Sequence, residues 1–398
     1  MMSEENNVPK HWQVKKLGDV CDKISLNGLK IKQKDYLTEG NFPVVDQGQE
    51  IIGGYYNDEK LVVPTEPPYI IFGDHTKVKK FINFKFIAGA DGVKVLKPHP
   101  VYDPKFFFYL IHTVKIPDKG YARHFQFLEK EEIPIPPLPE QHAIVTKIEE
   151  LLSDLENGKQ QLQTAGQQLK IYRQSLLKWA FEGKLTNKDA EDGELPQGWK
   201  WVTLGEICDP NRKCSYGVLV PGDHVENGIT LLRVGDIDDY GRINRGNMKR
   251  ISPSIASKFN RTFLQGGEVV ISLVGAIGRT AVVPASLKGA NTARAVGVIP
   301  VSKNVSAKFV EAMLRSPNKI KEHNDSSHEV ARKTLNLEDV IKSKIPLPPF
   351  EEQQRIVEIL ESKLTICDKI EETINHSLQQ AETLRQSILK KAFEGKLV

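Results

Sequence analysis

Two long stretches of the chain carry apolar residues in steps that alternate four and three. The first passes through Ile144, Ile148, Leu151, Leu155, Gly158, Leu162, Ala165, Leu169, Tyr172 and Leu176. The second passes through Ile356, Leu360, Lys363, Cys367, Ile370, Ile374, Ser377, Ala381, Leu384 and Ile388 in the same phase. This spacing is the seam of a coiled coil. Neither stretch contains a proline after the opening PPLPEQ or PPFEEQ, where a first turn tolerates one, and Gly183 and Gly395 stand where a helix ends. Each predicted helix covers roughly 40 residues, or about 60 Å at 1.5 Å per residue. So narrow an apolar stripe needs a partner, and each stretch is the natural partner of the other. The pairing can be parallel or antiparallel, and antiparallel is expected, since one two-fold axis then relates both helices and the segments beside them. The alternative is that each helix packs on its own neighbouring segment. Gly158 and Ala165 would then lie near Ile374 and Ile366. Lys363 and Ser377 interrupt the seam.

The two stretches are copies of one another. IPIPPLPEQHAIV from Ile133 returns as IPLPPFEEQQRIV from Ile345, and RQSLLKWAFEGKL from Arg173 returns as RQSILKKAFEGKL from Arg385. Residues 133–186 and 345–398 align without a gap, with 23 of 54 positions identical. A shorter repeat precedes each copy: VPKHWQVKKLGDVCD around Trp12 and LPQGWKWVTLGEICD around Trp199. The intervening segments differ from the helices in pattern. They hold short β-type runs broken by Gly, Pro and Asn, such as NFPVVDQG, PPYIIFGD and FIAGADGVKVL in the first, and ITLLRVGDI, GGEVVISLVGAIG and RAVGVIPV in the second. Helical patches are few, at KFFFYLIHTV and AKFVEAMLRS. The expected fold class is α+β. Two mixed α/β domains, residues 1–132 and 196–344, are separated by two long helices, 133–186 and 345–398, forming an antiparallel coiled coil with an internal pseudo-two-fold repeat. Residues 187–195 form a polar linker.

Composition adds exclusions. The 398 residues suit two domains, and 39% apolar with 27% charged residues supports packed cores. No window of 18 uninterrupted apolar residues occurs and the amino-terminal MMSEENNVPKHW lacks an apolar signal core, so a cytoplasmic location is expected. Cys21, Cys208, Cys214 and Cys367 form no CxxC pair, which argues against a disulfide framework and against zinc. The net charge of +4 is modest but segregated. Residues 9–132 hold 19 Lys and Arg against 16 Asp and Glu, residues 196–344 hold 22 against 14, and both helical segments are mildly acidic. A polyanion is drawn to the globular segments.

The alternation of unlike globules with IPLPP–EEQ–IV helices ending in AFEGKL resembles the specificity subunit of type I DNA restriction–modification systems. The likeness covers essentially the whole chain. Within the globules it extends to FPVVDQG, IIFGDHT and GYARH, and to LLRVGDI, GGEVVIS and LNLEDVIKSKIPLPP. The resemblance implies that each globule is a target-recognition domain reading one half of a split DNA sequence. It implies that the helices form an antiparallel spacer, and that the subunit is not catalytic. It also implies partners: double-stranded DNA, two methyltransferase (modification) subunits and up to two restriction/translocase subunits. S-adenosylmethionine, ATP and Mg are then expected only in those partners.

Candidate DNA contacts in the first domain are His75, Lys77, Lys79 and Lys80 after the FGD turn, and Tyr121, Arg123 and His124 in GYARH. In the second they are Arg233, Arg242, Arg245, Lys249, Arg250, Arg279, Arg294, Arg332 and Lys333. Each is equally readable as a solvated surface cation. HTKVKK and GRINRGNMKR are stronger as clusters. Enzyme-like strings are weak. Glu66-Pro67-Pro68-Tyr69 departs from the D/N-P-P-Y of adenine methyltransferases and reads better as a turn leading into a strand. Gly275-Ala276-Ile277-Gly278 lacks GxGxxG spacing, and no GxxxxGK[ST] or HExxH occurs. No catalytic or metal-binding residues are expected. The competing readings are an architectural coiled-coil adaptor and a self-sufficient methyltransferase or nuclease.

Overall fold

The computed structural model describes residues 8–117, 120, 122–187, 190–191, 193–327 and 333–398. The first domain contains β1 (Gln13–Lys16), β2 (Cys21–Ile24), β3 (Lys30–Ile31), β4 (Phe42–Val45), β5 (Gly54–Tyr56), β6 (Tyr69–Gly73), β7 (Lys79–Ile82), β8 (Ile87–Gly89) and β9 (Val93–Pro98). Helices α1 (Pro104–Thr113) and α2 (Phe125–Leu128), strand β10 (Glu132–Ile135) and the long helix α3 (Leu138–Phe181) follow. The second domain contains β11 (Lys200–Thr203), β12 (Ser215–Tyr216), β13 (Ile229–Leu232), β14 (Lys249–Ile251), α4 (Pro253–Ala256), β15 (Val269–Ser272), β16 (Thr280–Val282), β17 (Asn291–Thr292) and β18 (Val296–Ile299). It continues with α5 (Ala307–Leu314), α6 (Pro317–Asp325), α7 (Leu337–Lys342) and β19 (Lys344–Leu347), and the long helix α8 (Phe350–Phe393) ends the chain.

The two domains share a frame. The first has an antiparallel sheet in the order β2-β9-β6-β7, and the second one in the order β12-β18-β15-β16. Beside each lies a sheet containing a parallel pair, β4 with β8 in one and β13 with β17 in the other. The shorter sequence repeat supplies an edge ribbon to each, β1 on β10 and β11 on β19. Alternation along the central strands places successive side chains in different cores. Ile70 and Phe72 of β6 join the core that includes helix residues, while Tyr69 and Ile71 join the core between the sheets. Val269 and Ile271 of β15 divide from Val270 in the same way.

The chain forms two compact units, residues 1–163 with 375–398, and residues 164–374. In the first unit Ile144, Val145 and Ile148 of α3 pack with Leu389, Ala392 and Phe393 of α8. In the second, Leu169, Leu176, Leu177 and Ala180 of α3 pack with Ile356, Leu360 and Cys367 of α8. Early residues of one helix meet late residues of the other in both units, so the pairing is antiparallel.

The repeated motifs act as fasteners. Trp12 Nε1 donates to Glu140 at 2.9 Å, and Trp199 Nε1 donates to Glu352 at 3.0 Å. The next residue in each copy is a buried glutamine. Gln141 accepts from the Asp103 amide at 2.8 Å, and Gln353 accepts from the Ser306 amide at 2.9 Å. Asp103 and Ser306 in turn cap α1 and α5. The AFEGKL ends close the frame. Phe393 meets Phe106 edge-on at 5.2 Å in the first unit, and Phe181 meets Phe309 at 5.3 Å in the second. Gly395 and Gly183 have φ of 68° and 79°, and a Cβ on them would run into Pro9 and Pro196. Each domain is thus held by the start of one helix and the end of the other.

The seam departs from expectation at Tyr172, Ile370 and Leu384, which are exposed. The seam keeps its phase along one line, where Leu360, Cys367, Ile374, Ala381 and Ile388 stay buried at seven-residue spacing and Leu176 is buried beyond Tyr172. Beside Tyr172 it is Arg173 that turns inward. Arg173 forms ion pairs with Asp368 at 2.7 Å and Glu371 at 3.1 Å. Gly158 meets open space where a Cβ would stand, and Ile366 is exposed instead of packing beside Ala165.

Candidate functional site

In the first domain four loops meet at one end of the sheets. They follow β4, β6 and β8 and precede α2, and they contain FPVVDQG, IIFGDHT, GADGVK and residues 122–124. Buried Asp74, just past β6, organises them. Its carboxylate accepts from the Phe125 amide at 2.8 Å and pairs with Lys94 at 3.3 Å, and its carbonyl accepts from His124 Nδ1 at 3.0 Å. Gln47 bridges the remainder, accepting from the His75 amide at 3.2 Å and donating to the Asp91 carbonyl at 3.0 Å. His75 Nδ1 donates to the Ala122 carbonyl at 3.2 Å, which leaves Nε2 as the other ring nitrogen of a half-buried side chain. Lys77 sits in the left-handed region, at φ 59°, on the same turn. Arg123 is exposed, with no polar side-chain partner among the described residues.

The structure corrects two of the expected contacts here. Lys80 is buried, and its ammonium donates to the Asp46 carbonyl at 2.8 Å and to the Glu50 carbonyl. It holds the loop after β4 rather than facing outward. His124 is fully buried against Asp74 and fixes the start of α2. Lys79 is half-buried, and loss of hydration lowers its pKa to about 8, so it remains mostly charged at neutral pH and loses its charge just above it. Tyr121 lies outside the described residues.

In the second domain most candidate cations tie the frame together. Arg233 forks onto Asp236 at 2.8 and 3.1 Å and donates to the Asn247 carbonyl. Arg279 donates to Asp239 at 2.6 Å, Arg245 to Ser286 at 2.9 Å, Lys249 to the Gly222 carbonyl at 2.5 Å and Arg250 to the Glu226 carbonyl at 2.8 Å. Arg242 is a tether: it pairs with Asp368 of α8 at 2.8 Å and lies over the Tyr240 ring at 5.3 Å, whose other cation is Arg173 at 4.9 Å. Charge density alone could not separate such fasteners from readers, because several of the partners are backbone carbonyls or a hydroxyl, and the carboxylates that hold Arg242 and Arg279 belong to distant segments.

Arg294 and Lys333 are different. Both are exposed, and neither side chain has a polar partner among the described residues. They sit where loops equivalent to those of the first domain converge. Val274 bridges Thr334, the Leu335 amide donates to the Leu273 carbonyl at 2.8 Å, and Arg294 occupies the turn between β17 and β18. Arg294 lines a cleft of about 340 Å³ with Tyr216 and Asn336. A second cleft of about 950 Å³ shares Tyr216 and Asn336 and is also lined by Lys258, Asn260, Arg261, Glu338 and Asp339. Sequence reasoning missed Tyr216, Lys258, Asn260 and Arg261. The SKFNRT string was the available signal, overshadowed by the denser GRINRGNMKR. Arg332 lies outside the described residues.

The chemistry of these surfaces is hydrogen bonding and charge. Glu66 is exposed and pairs with Lys85 at 2.9 Å, while Tyr69 is buried in β6 with its hydroxyl on the Thr65 carbonyl. The Pro-Pro string is therefore the turn leading into that strand. Among the described residues no cluster of three or more His, Cys, Asp or Glu is placed to hold a metal ion, and no helix is long and apolar enough to cross a membrane.

A family model described as the type I restriction modification DNA specificity domain matches residues 9–164 and 196–380. The chain is 37% identical over 282 residues to the type I restriction enzyme EcoBI specificity subunit of Escherichia coli, a stretch covering 68% of this chain and 59% of that one. It is 23% identical over 423 residues to the EcoDI specificity subunit of Escherichia coli, covering 98% and 89%. It thus spans less than two thirds of the first of these relatives. Among solved structures, the HsdS subunit from Thermoanaerobacter tengcongensis matches with a TM-score of 0.59 at 22% identity, over 100% of both chains. A chain from a structural study of type I R-M system assembly and conformational transition matches with a TM-score of 0.72 at 21% identity, over 98% of this chain and 99% of that one. These likenesses establish the shared fold.

Proposed function

The chain belongs to the type I restriction modification DNA specificity family, and on that footing we propose that it is the DNA-reading subunit of a type I restriction–modification complex. Each globular domain reads one half of a bipartite target, and the paired helices set the spacing of the halves and dock methyltransferase subunits. The observation that carries this reading is the pairing of like frames with unlike loops. The β8–β9 turn of the first domain presents Asp91, whereas the β17–β18 turn of the second presents Arg294. Two recognition tasks require different donors and acceptors on the same scaffold, because base edges carry the sequence information while phosphate contacts only fix position.

Two repeated helices, identical at 23 of 54 aligned positions, offer two related surfaces, which suits two copies of one partner. Ile171, Tyr172, Ile366, Ile370 and Leu384 are exposed apolar side chains on those helices, and we assign them to that docking. The chain itself carries no catalytic step in this reading. S-adenosylmethionine belongs to the methyltransferase subunits, and ATP and Mg to restriction/translocase subunits where they join. The complex acts in the cytoplasm, where the DNA lies. Retention of a random-sequence duplex by the full chain across a salt series tests the reading. Binding that weakens steeply with salt is expected, since each neutralised phosphate releases a counterion. Salt-independent or absent retention is what an architectural adaptor would give.

A further inference from the structure

Cys208 and Cys214 bring their sulfur atoms to 3.2 Å without being bonded. Their spacing in sequence, with five residues between, matches no familiar thiol motif, and the fold alone joins them. Both sulfurs stand on fixed supports. Cys208 follows the helical turn Leu204–Ile207, its backbone bridges Val301, and its carbonyl accepts from Ser302 Oγ at 2.8 Å. Cys214 immediately precedes β12. The loop between them is pinned by Arg212, which pairs with buried Glu268 at 2.8 Å and donates to the Phe263 carbonyl at 3.3 Å. Preorganisation of this kind raises the effective concentration of one thiol at the other. Cys214 also lines the cleft of about 950 Å³, so a small solute reaches it, whereas Cys21 and Cys367 are buried. Either sulfur can donate in the contact between them, and Cys208 Sγ also donates to the Leu204 carbonyl at 3.3 Å; the contact pushes the Cys208 thiol up and the Cys214 thiol down.

We propose that Cys208 and Cys214 are an oxidisable dithiol, which hydrogen peroxide or a related hydroperoxide converts to a disulfide within the second domain. The Cys214 thiolate attacks one peroxide oxygen, the O–O bond breaks, and Cys214 becomes a sulfenic acid as the first water leaves. The Cys208 sulfur then attacks the Cys214 sulfur, an S–S bond forms, the S–O bond breaks, and a second water departs with the Cys208 proton. Two electrons pass from the sulfurs to the peroxide, and an exogenous thiol reverses the change. The disulfide fixes the start of β12 and with it Tyr216, which lines both clefts. The consequence for DNA rests on the function proposed above; the thiol chemistry does not.

The test treats the reduced full chain with an equivalent of hydrogen peroxide, alkylates the remaining thiols and maps peptides by mass spectrometry. Two of the four thiols should be protected, in a cross-link between 208 and 214 that dithiothreitol opens. In Cys208→Ser, Cys214 should instead be captured by dimedone as the sulfenic acid. Four alkylatable thiols after treatment, or a cross-link to Cys21 or Cys367, overturns the proposal. In parallel, a random-sequence duplex should bind the reduced and oxidised forms with a several-fold difference that Cys208→Ser abolishes, and equal binding of the two forms overturns the regulatory part. A chain that cross-links but never retains the duplex supports the dithiol and counts against DNA reading. A chain that retains the duplex but does not cross-link counts against the dithiol alone.

Discussion

Arg123 and Arg294 are exposed guanidiniums on equivalent loop ends of two domains, while Lys80 is a cation of the same nominal class turned inward. Their consequences on substitution should differ in kind. Arg123→Ala and Arg294→Ala should each relax reading of one half-site only, by about 1–3 kcal/mol where the contact is a bidentate one to a base. Lys80→Ala should lower stability in denaturant titration, because it strips the donor from the Asp46 and Glu50 carbonyls. Competition binding against duplexes altered in one half at a time separates the two cases. His112 gives a pH test. Burial lowers its pKa from the ordinary 6.5 to about 4, while Nδ1 donates to the Phe108 carbonyl at 2.8 Å. The folded state resists protonating this ring, so its contribution is complete above about 6.5 and is lost as pH falls toward about 4, by roughly 3 kcal/mol. His112→Gln should flatten that part of the stability profile. Sequence could nominate these side chains but not sort them. The partners that decide whether an arginine reads or fastens are set by the fold: Asp236 for Arg233 is near in sequence, whereas Asp239 for Arg279 and Asp368 for Arg242 belong to distant segments.

The long helices were the most legible elements, because a periodic stripe and a doubled motif are local signals. The repeat favoured their antiparallel pairing over a parallel one without deciding it. The details that failed lie on one line of the seam. Tyr172, Ile370 and Leu384 are exposed beside a line that keeps its seven-residue spacing, and Arg173 is buried next to Tyr172 by ion pairs to Asp368 and Glu371 of the other helix, which no local pattern announces. The fasteners had a sequence signal with no visible purpose. Glu and Gln recur together in PPLPEQ and PPFEEQ, and only the fold reveals that one holds a tryptophan and the other a helix start. In the proposed function helix length becomes target spacing, because one residue adds about 1.5 Å and one base pair advances about 3.4 Å. Inserting four residues, about one turn, at matching positions in α3 and α8 should therefore change the tolerated spacing by one or two base pairs without altering either half of the target. Unchanged spacing would remove the helices from that role.

At the scale of the whole molecule the chain is one frame used twice with two sets of loops. The sheet orders correspond strand for strand through β2-β9-β6-β7 and β12-β18-β15-β16, yet the ends of those sheets differ in charge and in shape. The globules were legible as mixed α/β modules because Gly, Pro and Asn punctuate short apolar runs. Their loop ends were not, since a loop takes its form from long-range partners such as Asp74 with Phe125 or Val274 with Thr334. The central claim is that unlike readers on like frames recognise a split target. Methylome sequencing of a host expressing the chain with its cognate modification subunit measures it most directly. The account predicts adenine methylation at a bipartite motif, two different specified parts separated by a constant number of unspecified bases. A single uninterrupted motif, or two identical halves, would contradict it.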